Sequence, residues 1–237
     1  MEPVQFKAAF DAINRINAAT TSDELHLTLQ RDLASLGYEF LLFAMAPAPH
    51  RQTFDRLVLF QHWPSDWFDQ YSRSNFHDHD PIAQFVRTRF DAFDWSDVPP
   101  SDDPISRTLM ASSAADFGMR RGLCIPIHDC FGYRAALSLA TSHEPPQSHA
   151  AAEMIAIFAF NRMNRLRLAS TPTRLTTRER EVVTWAAAGK TAWDTGSILH
   201  VSEQTIEKHL TSAMRKLNSY TKAQVVAESL RSGEISL

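Results

Sequence analysis

Cysteine is scarce here. The 237 residues carry two, Cys124 and Cys130, too few for a disulfide scaffold in a chain of this size, so a reducing compartment is expected. No apolar run approaches the roughly 18 residues of a membrane span. The N-terminus also lacks the basic-then-apolar order of a secretion signal. Both absences point to a cytoplasmic protein with no membrane partner. There is no glycine-rich phosphate loop, no Ser/His/Asp nucleophile signature and no CxxC pair, which leaves an enzyme or a zinc module with little support. Internal repeats and low-complexity segments are missing too.

What remains is a globular composition, 44% apolar and 22% charged, with length for one or two domains that each bury a core. Charge divides unevenly. From residue 171 onward nine Lys and Arg stand against seven Asp and Glu, a balance of +2, and the earlier residues carry −5. The acidic part is a poor DNA contact. The C-terminal part, at +2, must rely on where its charges sit and on pairing with a second copy, because affinity follows the number of phosphates neutralised.

That C-terminal part is organised around 202–217, SEQTIEKHLTSAMRKL. Ser202 suits a helix N-cap, and Val201 and Ile206 are spaced as a hydrophobic staple. Ile206, Leu210, Ala213, Met214 and Leu217 make one apolar stripe. The other face carries Gln204, Thr205, Glu207, Lys208, Thr211 and Arg215, which can reach base edges and phosphates. Upstream, Thr176 and Glu179 form a capping box for a helix with Val182, Val183, Ala186 and Ala187 inward and Gly189 at its end. A short helix over 191–199 and a tight His200-Val201 turn follow. Thr221 caps a last helix striped by Ala223, Val226, Ala227 and Leu230. Four short helices with a tightly joined middle pair predict a helix-turn-helix.

LTTREREVV, the Trp185-x-x-x-Gly189-Lys190 spacing, ILHVSEQTIEKHL and MRKLN resemble the DNA-binding domain of LuxR-type regulators over about 175–235. The resemblance implies a homodimer, often paired through the last helix, that lays its third helix in the major groove of double-stranded DNA. By motif position Lys208 and His209 are the implied backbone contacts, and Glu207 and Thr211 stand where relatives read bases. The chain departs from the pattern at Asp194-Thr195-Gly196, where the family has Glu-Ile and a small residue. Thr195 is expected to loosen the second helix.

The N-terminal part opens with helices at 4–19, with Phe6, Phe10, Ile13 and Ile16 inward, and after a Thr21/Glu24 capping box, with Leu25, Leu29, Leu33 and Leu36 inward and Gly37 at the end. Strands are expected at 38–46 and 53–62 around a turn at 47–52. Short helices start at Pro64 and at Pro81, which can occupy the first helical position. A loop at 97–103 precedes a helix ending near Gly118. Strands at 122–129 and 133–141 read as a hairpin about Cys130-Phe131-Gly132. Pro145-Pro146 break the chain before a helix over 148–168 with Met154, Ile155, Phe158 and Met163 inward. The fold class is therefore α+β: an N-terminal α/β/α sandwich on an antiparallel sheet, then a small all-α four-helix helix-turn-helix domain. Expected domains are 1–168 and 175–237, with a linker at 169–174.

Residues 62–95 hold three of the five tryptophans and an Asp-Pro among aromatics. Large rings with single polar tips suit a closed pocket for an apolar ligand with few polar atoms. Trp67, Tyr71, Asp80-Pro81 and Trp95 resemble the aromatic and Asp-Pro series of LuxR-type autoinducer-binding domains, with Gly118, Gly122, Pro126, Gly132 and Ser138 in matching places. The resemblance covers nearly the whole chain. It implies an N-acyl-homoserine lactone as ligand, with no other cofactor and no metal. Trp67 would donate to the lactone carbonyl, Asp80 would accept from the ligand amide, Trp95 would pack on the lactone ring, and Ser138 would be a polar contact near the amide. Trp63 stands where the family more often has tyrosine, and Ala92 where it often has proline. Ile82 offers no hydrogen bond. The expected acyl group is short, branched or aryl, without a 3-oxo substituent. RNA polymerase is the further protein partner expected.

Rival classes are weaker. His77-Asp78-His79-Asp80 and Cys124-x3-His128-x-Cys130 contain metal-ligand types, but the histidines of an extended segment point apart. A phosphorylation-controlled response regulator would open with an apolar strand and clustered acids, whereas this chain opens with two helices. A receptor of the same fold for a non-lactone molecule remains the main alternative.

Overall fold

Alternating side chains along five strands divide the N-terminal part into two faces. The computed structural model describes residues 3–45, 54–128, 134–144, 149–170 and 174–235. Its strands are β1 (Phe40–Met45), β2 (Val58–His62), β3 (Phe93–Asp94), β4 (Arg121–His128) and β5 (Arg134–Thr141). They form one antiparallel sheet in the order β2-β1-β5-β4-β3. One face presents Leu41, Phe43, Leu123, Ile125, Ile127, Leu137 and Leu139 to a core shared with α1 (Pro3–Ala18), α2 (Ser22–Ser35) and α6 (His149–Ser170). The other face meets α3 (Ser65–Arg73), α4 (Pro81–Phe85) and α5 (Pro104–Ala115). The architecture is the α/β/α sandwich expected.

Several local expectations shift. The inward face of α1 is Ala9, Ala12, Ile13 and Ile16, and Phe10 is 55% exposed. Phe10 lies one residue, about 100°, round the helix from Ala9. On α6 the buried stripe is largely small, with Ala151, Ala152, Ala156 and Ala159 beside Ile155, Phe160 and Met163, while Phe158 faces outward. Ranking by side-chain size hid an alanine face that lies close on the sheet. The 53–62 strand begins later, because Phe54–Arg56 is a 3-10 turn, and β3 is a short fifth strand the sequence did not announce. At the start of α2 the Thr21 hydroxyl accepts from Glu24 N, but the Glu24 carboxylate takes its bonds from Thr20. The turn at 47–52, Cys130-Phe131-Gly132, Pro145-Pro146 and residues 171–173 lie outside the described residues. Helix α6 runs through Ser170, so the first two residues of the expected linker are helical.

The chain divides into two units, Met1–Leu166 and Arg167–Leu237. The second holds α7 (Thr177–Ala187), α8 (Ala192–Leu199), α9 (Glu203–Lys216) and α10 (Lys222–Arg231) around Leu175, Val183, Ala213, Leu217, Val225 and Ile235. Thr176, Thr191, Ser202 and Thr221 each cap their helix through a side-chain oxygen, satisfying amides that helix geometry leaves unpaired. Glu179 is buried beneath its capping box and ion-paired to Lys216 at 2.6 Å. Burial alone would raise its pKa, but bonds from Lys216, Ser212 and Thr176 outweigh this and hold it at about 2. Thr195 is buried and its hydroxyl donates to the Thr191 carbonyl at 2.8 Å, so the departure from the family pattern leaves no unpaired polar group. In α10 the buried residues are Val225 and Ser229, with Ala223 and Ala227 outward.

The α8–α9 turn depends on His200 in the left-handed region (φ 55°) and on Gly196, where a Cβ would stand 2.7 Å from the Val201 carbonyl oxygen. Gly196→Ala should therefore cost about 1–3 kcal/mol through overpacking. Faster hydrogen exchange of the α8 and α9 amides is the expected result, and unchanged protection would contradict this account of the turn.

Candidate functional site

Helix α3 places Trp67 and Tyr71 one turn apart on a single face, each 2% exposed. After it the chain turns at Asn75, which has a φ of 50°, and a 3-10 turn (Phe76–Asp78) leads to Asp80. Asp80 caps α4, which Pro81 opens: one carboxylate oxygen accepts from the amides of Ile82 (2.8 Å) and Ala83 (3.3 Å). The other accepts the Tyr71 hydroxyl proton at 2.7 Å. Burial pushes the Asp80 pKa upward, and the bonds from Tyr71, Ala83 and Ile82 and the nearby His77 charge oppose it. The Tyr71 hydroxyl is raised well above its usual value by burial and by the Asp80 charge.

Trp95 follows β3 and lies on Gly122, where an added Cβ would come within 2.4 Å of the indole ring. Its Nε1 is buried with no hydrogen-bond partner among the described residues, an arrangement uncommon enough in native interiors to need a reason. Ser138 is paired in register with Leu42 on one side and Cys124 on the other. Between this face of the sheet and the helices α3 to α5 lies a cavity of about 280 Å³. Trp63, Trp67, Tyr71, Asp80, Ile82, Trp95 and Ser138 all line it. Trp63 stands edge-on to Tyr71 at 5.2 Å.

Other lining residues were not foreseen: Cys124, Pro126, His128 and Ala136 from the sheet, and His77 and Arg87 from the helical layer. Counting by twos from Ser138 and from Gly122 would have found those on strands. Nothing in the local pattern marked His77 or Arg87. The histidines proposed as metal ligands diverge: His77 stacks on Phe54 at 5.4 Å, and His79 bonds Asp103 at 2.8 Å. No group of three metal-ligand side chains stands together among the described residues, and Cys130 is not one of these. Cys124 is buried in the sheet, and burial first and the Asp80 charge second push its thiol pKa up.

In the second unit, Ser202 caps α9 by accepting from Thr205 N, and its hydroxyl also bonds the Thr205 hydroxyl at 2.8 Å. Gln204, Glu207, Lys208, Thr211 and Arg215 are exposed at three- and four-residue spacing, so they share a face. Thr205 and His209 are half-buried. No helix among the described residues is long and apolar enough to cross a membrane.

Comparison with known proteins identifies both units. Residues 21–163 match the autoinducer binding domain family, and residues 173–228 match the family described as bacterial regulatory proteins, luxR family. The chain is 36% identical over 232 residues to the transcriptional activator protein BjaR1 of Bradyrhizobium diazoefficiens, covering 95% of each chain. It is 39% identical over 215 residues to the quorum sensing-dependent transcriptional regulator RpaR of Rhodopseudomonas palustris, covering 86% of each. Among solved structures, Escherichia coli SdiA shares the fold at a TM-score of 0.75 with 21% identity, covering 98% of this chain and 99% of that one. The chain belongs to the LuxR family of quorum-sensing transcriptional regulators. Its N-terminal part is an autoinducer-binding domain rather than a receiver domain, and its C-terminal part is a DNA-binding helix-turn-helix.

A methyl group at Gly122 would also lie 2.3 Å from the Leu139 carbonyl oxygen, so either the strand or Trp95 must move. Gly122→Ala is expected to lower the stability of the N-terminal unit by about 1–3 kcal/mol. Thermal unfolding of the full chain checks this; a melting point equal to wild type would show that Trp95 is not seated as described.

Proposed function

We propose that the cavity receives an N-acyl-homoserine lactone and that the protein binds a palindromic operator as a homodimer. The observation that carries the reading is the convergence of Trp67, Tyr71, Asp80, Trp95 and Ser138 on one mostly apolar cavity. A ligand with a compact polar head and an apolar tail suits such a wall. Trp67 donates its indole N–H to the lactone carbonyl. Asp80, oriented by Tyr71, accepts the ligand amide proton, Trp95 covers the lactone ring, and Ser138 contacts the amide region. Ile82 gives no hydrogen bond and Trp63 takes volume, and about 280 Å³ is at the small end of ligand pockets, which run from roughly 300 Å³ upward. These features favour a short, branched or aryl acyl group without a 3-oxo substituent.

Binding of a buried ligand to the folded state alone stabilises it by mass action. The resulting dimer presents two copies of α9 about one helical turn of DNA apart. Lys208 and His209 hold phosphates, Glu207 and Thr211 read bases, and Gln204, Thr205 and Arg215 complete the contact. The outward Ala223 and Ala227 of α10 leave room for a second copy to approach closely. BjaR1 carries the name of a transcriptional activator, and activation with RNA polymerase as partner is the output we assign. A solved SdiA structure of the same fold holds octanoyl-rac-glycerol (TM-score 0.71, 19% identity). An acylglycerol is therefore the alternative ligand class to set against the lactones.

Asp80→Asn can keep the helix cap, since asparagine caps as well as aspartate, while removing the charge that accepts the ligand amide. It and Trp67→Phe should each abolish a lactone-dependent reporter signal. Wild-type response in both variants would contradict the assignment. Lys208→Ala should weaken DNA binding on all sequences and reduce its salt slope by about one. A change confined to one base pair in a salt titration would instead make Lys208 a base reader.

A further inference from the structure

One cation on the cavity wall has no role in the reading above. On β4 the cavity is lined by Cys124, Pro126 and His128, a run of roughly 13 Å at about 3.3 Å per residue. Arg87 and His128 line its far end and are both exposed. The end of β4 is joined there to the segment after α4, because His128 Nε2 meets the Arg89 carbonyl oxygen at 3.1 Å. Phe90 flanks the same mouth, 4.8 Å from the His128 ring. Around it the lining is apolar: Met45, Val86, Pro126 and Ala135. Among the described lining residues Asp80 is the one acid, and it is capped, buried and bonded to Tyr71.

Arg87 has neither an ion pair nor a hydrogen bond among the described residues, whereas Arg73, Arg121, Arg178 and Arg231 each pair with a carboxylate. Arg87 is one of the residues that line the cavity, and its charge opposes the upward shift of the buried Tyr71 hydroxyl. It stands in the 3-10 turn (Val86–Thr88) that follows α4, seven residues beyond Asp80. An acyl chain anchored by its amide at Asp80 points its far end toward this group.

We infer that Arg87 is a specificity-determining residue that selects acyl chains ending in a carboxylate over chains of equal length ending in a methyl group. A guanidinium carries donors only, in a fork that fits a carboxylate. A carboxylate deep in an apolar cavity would be rejected for its desolvation. At an exposed mouth it keeps part of its water, and Arg87 supplies the opposing charge. The inference rests on the lactone reading of the cavity and extends it to the end of the chain that the head-group residues do not touch.

The test is competition binding to the full-length protein with four probes: N-hexanoyl- and N-octanoyl-homoserine lactone, and their counterparts in which the terminal methyl is a carboxylate. An exposed pair is worth up to about 1 kcal/mol, so a preference of about fivefold for the carboxylate probe is expected at one of the two lengths. Raising salt should shrink it. Arg87→Met should erase the preference, and Arg87→Lys should retain part of it. Equal or tighter binding of the methyl-ended probes by wild type would overturn the inference, as would a preference that survives in Arg87→Met. Either result leaves the lactone reading standing. If none of the four binds a folded sample, the inference fails, and binding of branched and aryl lactones decides the lactone reading separately.

Discussion

Asp80 sits nearly out of contact with water at the start of α4, with the Tyr71 hydroxyl on one oxygen and the Ile82 and Ala83 amides on the other. A carboxylate in such a place survives only with partners. The same bonds that satisfy it tie α3 to α4, and so set the roof of the cavity against the sheet. Asp80 is first of all a structural cap. An ionised carboxyl group offers about four acceptor positions, and the three bonds from the chain leave capacity for one more donor. Trp67, held by α3, and Trp95, seated on Gly122, line the same cavity as that carboxylate.

The sheet explains why the cavity is on that face and not the other. Toward α1, α2 and α6 the strands present Leu, Ile and Phe, which fill the space against the helices. Toward α3 to α5 the central positions are Ala44, Ala136, Ser138, Cys124 and Gly122, small side chains that leave volume unfilled. Close packing is the normal state of an interior, and unfilled volume forgoes dispersion contacts. On the reading proposed above, a ligand that enters would restore them, and stability and signal reception would be the same property of one face.

Much of this was legible before the structure. Capping residues marked Thr176, Ser202 and Thr221 as helix starts, because a side-chain oxygen must meet amides the helix cannot pair. The Trp67, Tyr71, Asp80 and Trp95 series pointed to one site, and those residues do line one cavity. Errors came where size was mistaken for burial. Phe10 and Phe158 are large but outward, and the contact faces of α1 and α6 are built partly from alanine. The two-residue strand β3 is too short to show a period. His77 and Arg87 reach the cavity through tertiary placement of a short helix and turns, which no spacing rule in the sequence encodes.

The central claim is that this cavity is completed by a homoserine lactone. Thermal unfolding of protein prepared without ligand, screened against lactones with straight, branched, 3-oxo and aryl chains and against octanoyl-rac-glycerol, tests it most directly. A ligand at about 100 times its dissociation constant adds about 2.7 kcal/mol to the folded state, a rise of about 2–4 °C for a domain of this size. The account predicts such a rise with at least one lactone, largest for a chain lacking the 3-oxo group. A folded sample whose melting point moves with octanoyl-rac-glycerol and with no lactone would contradict it.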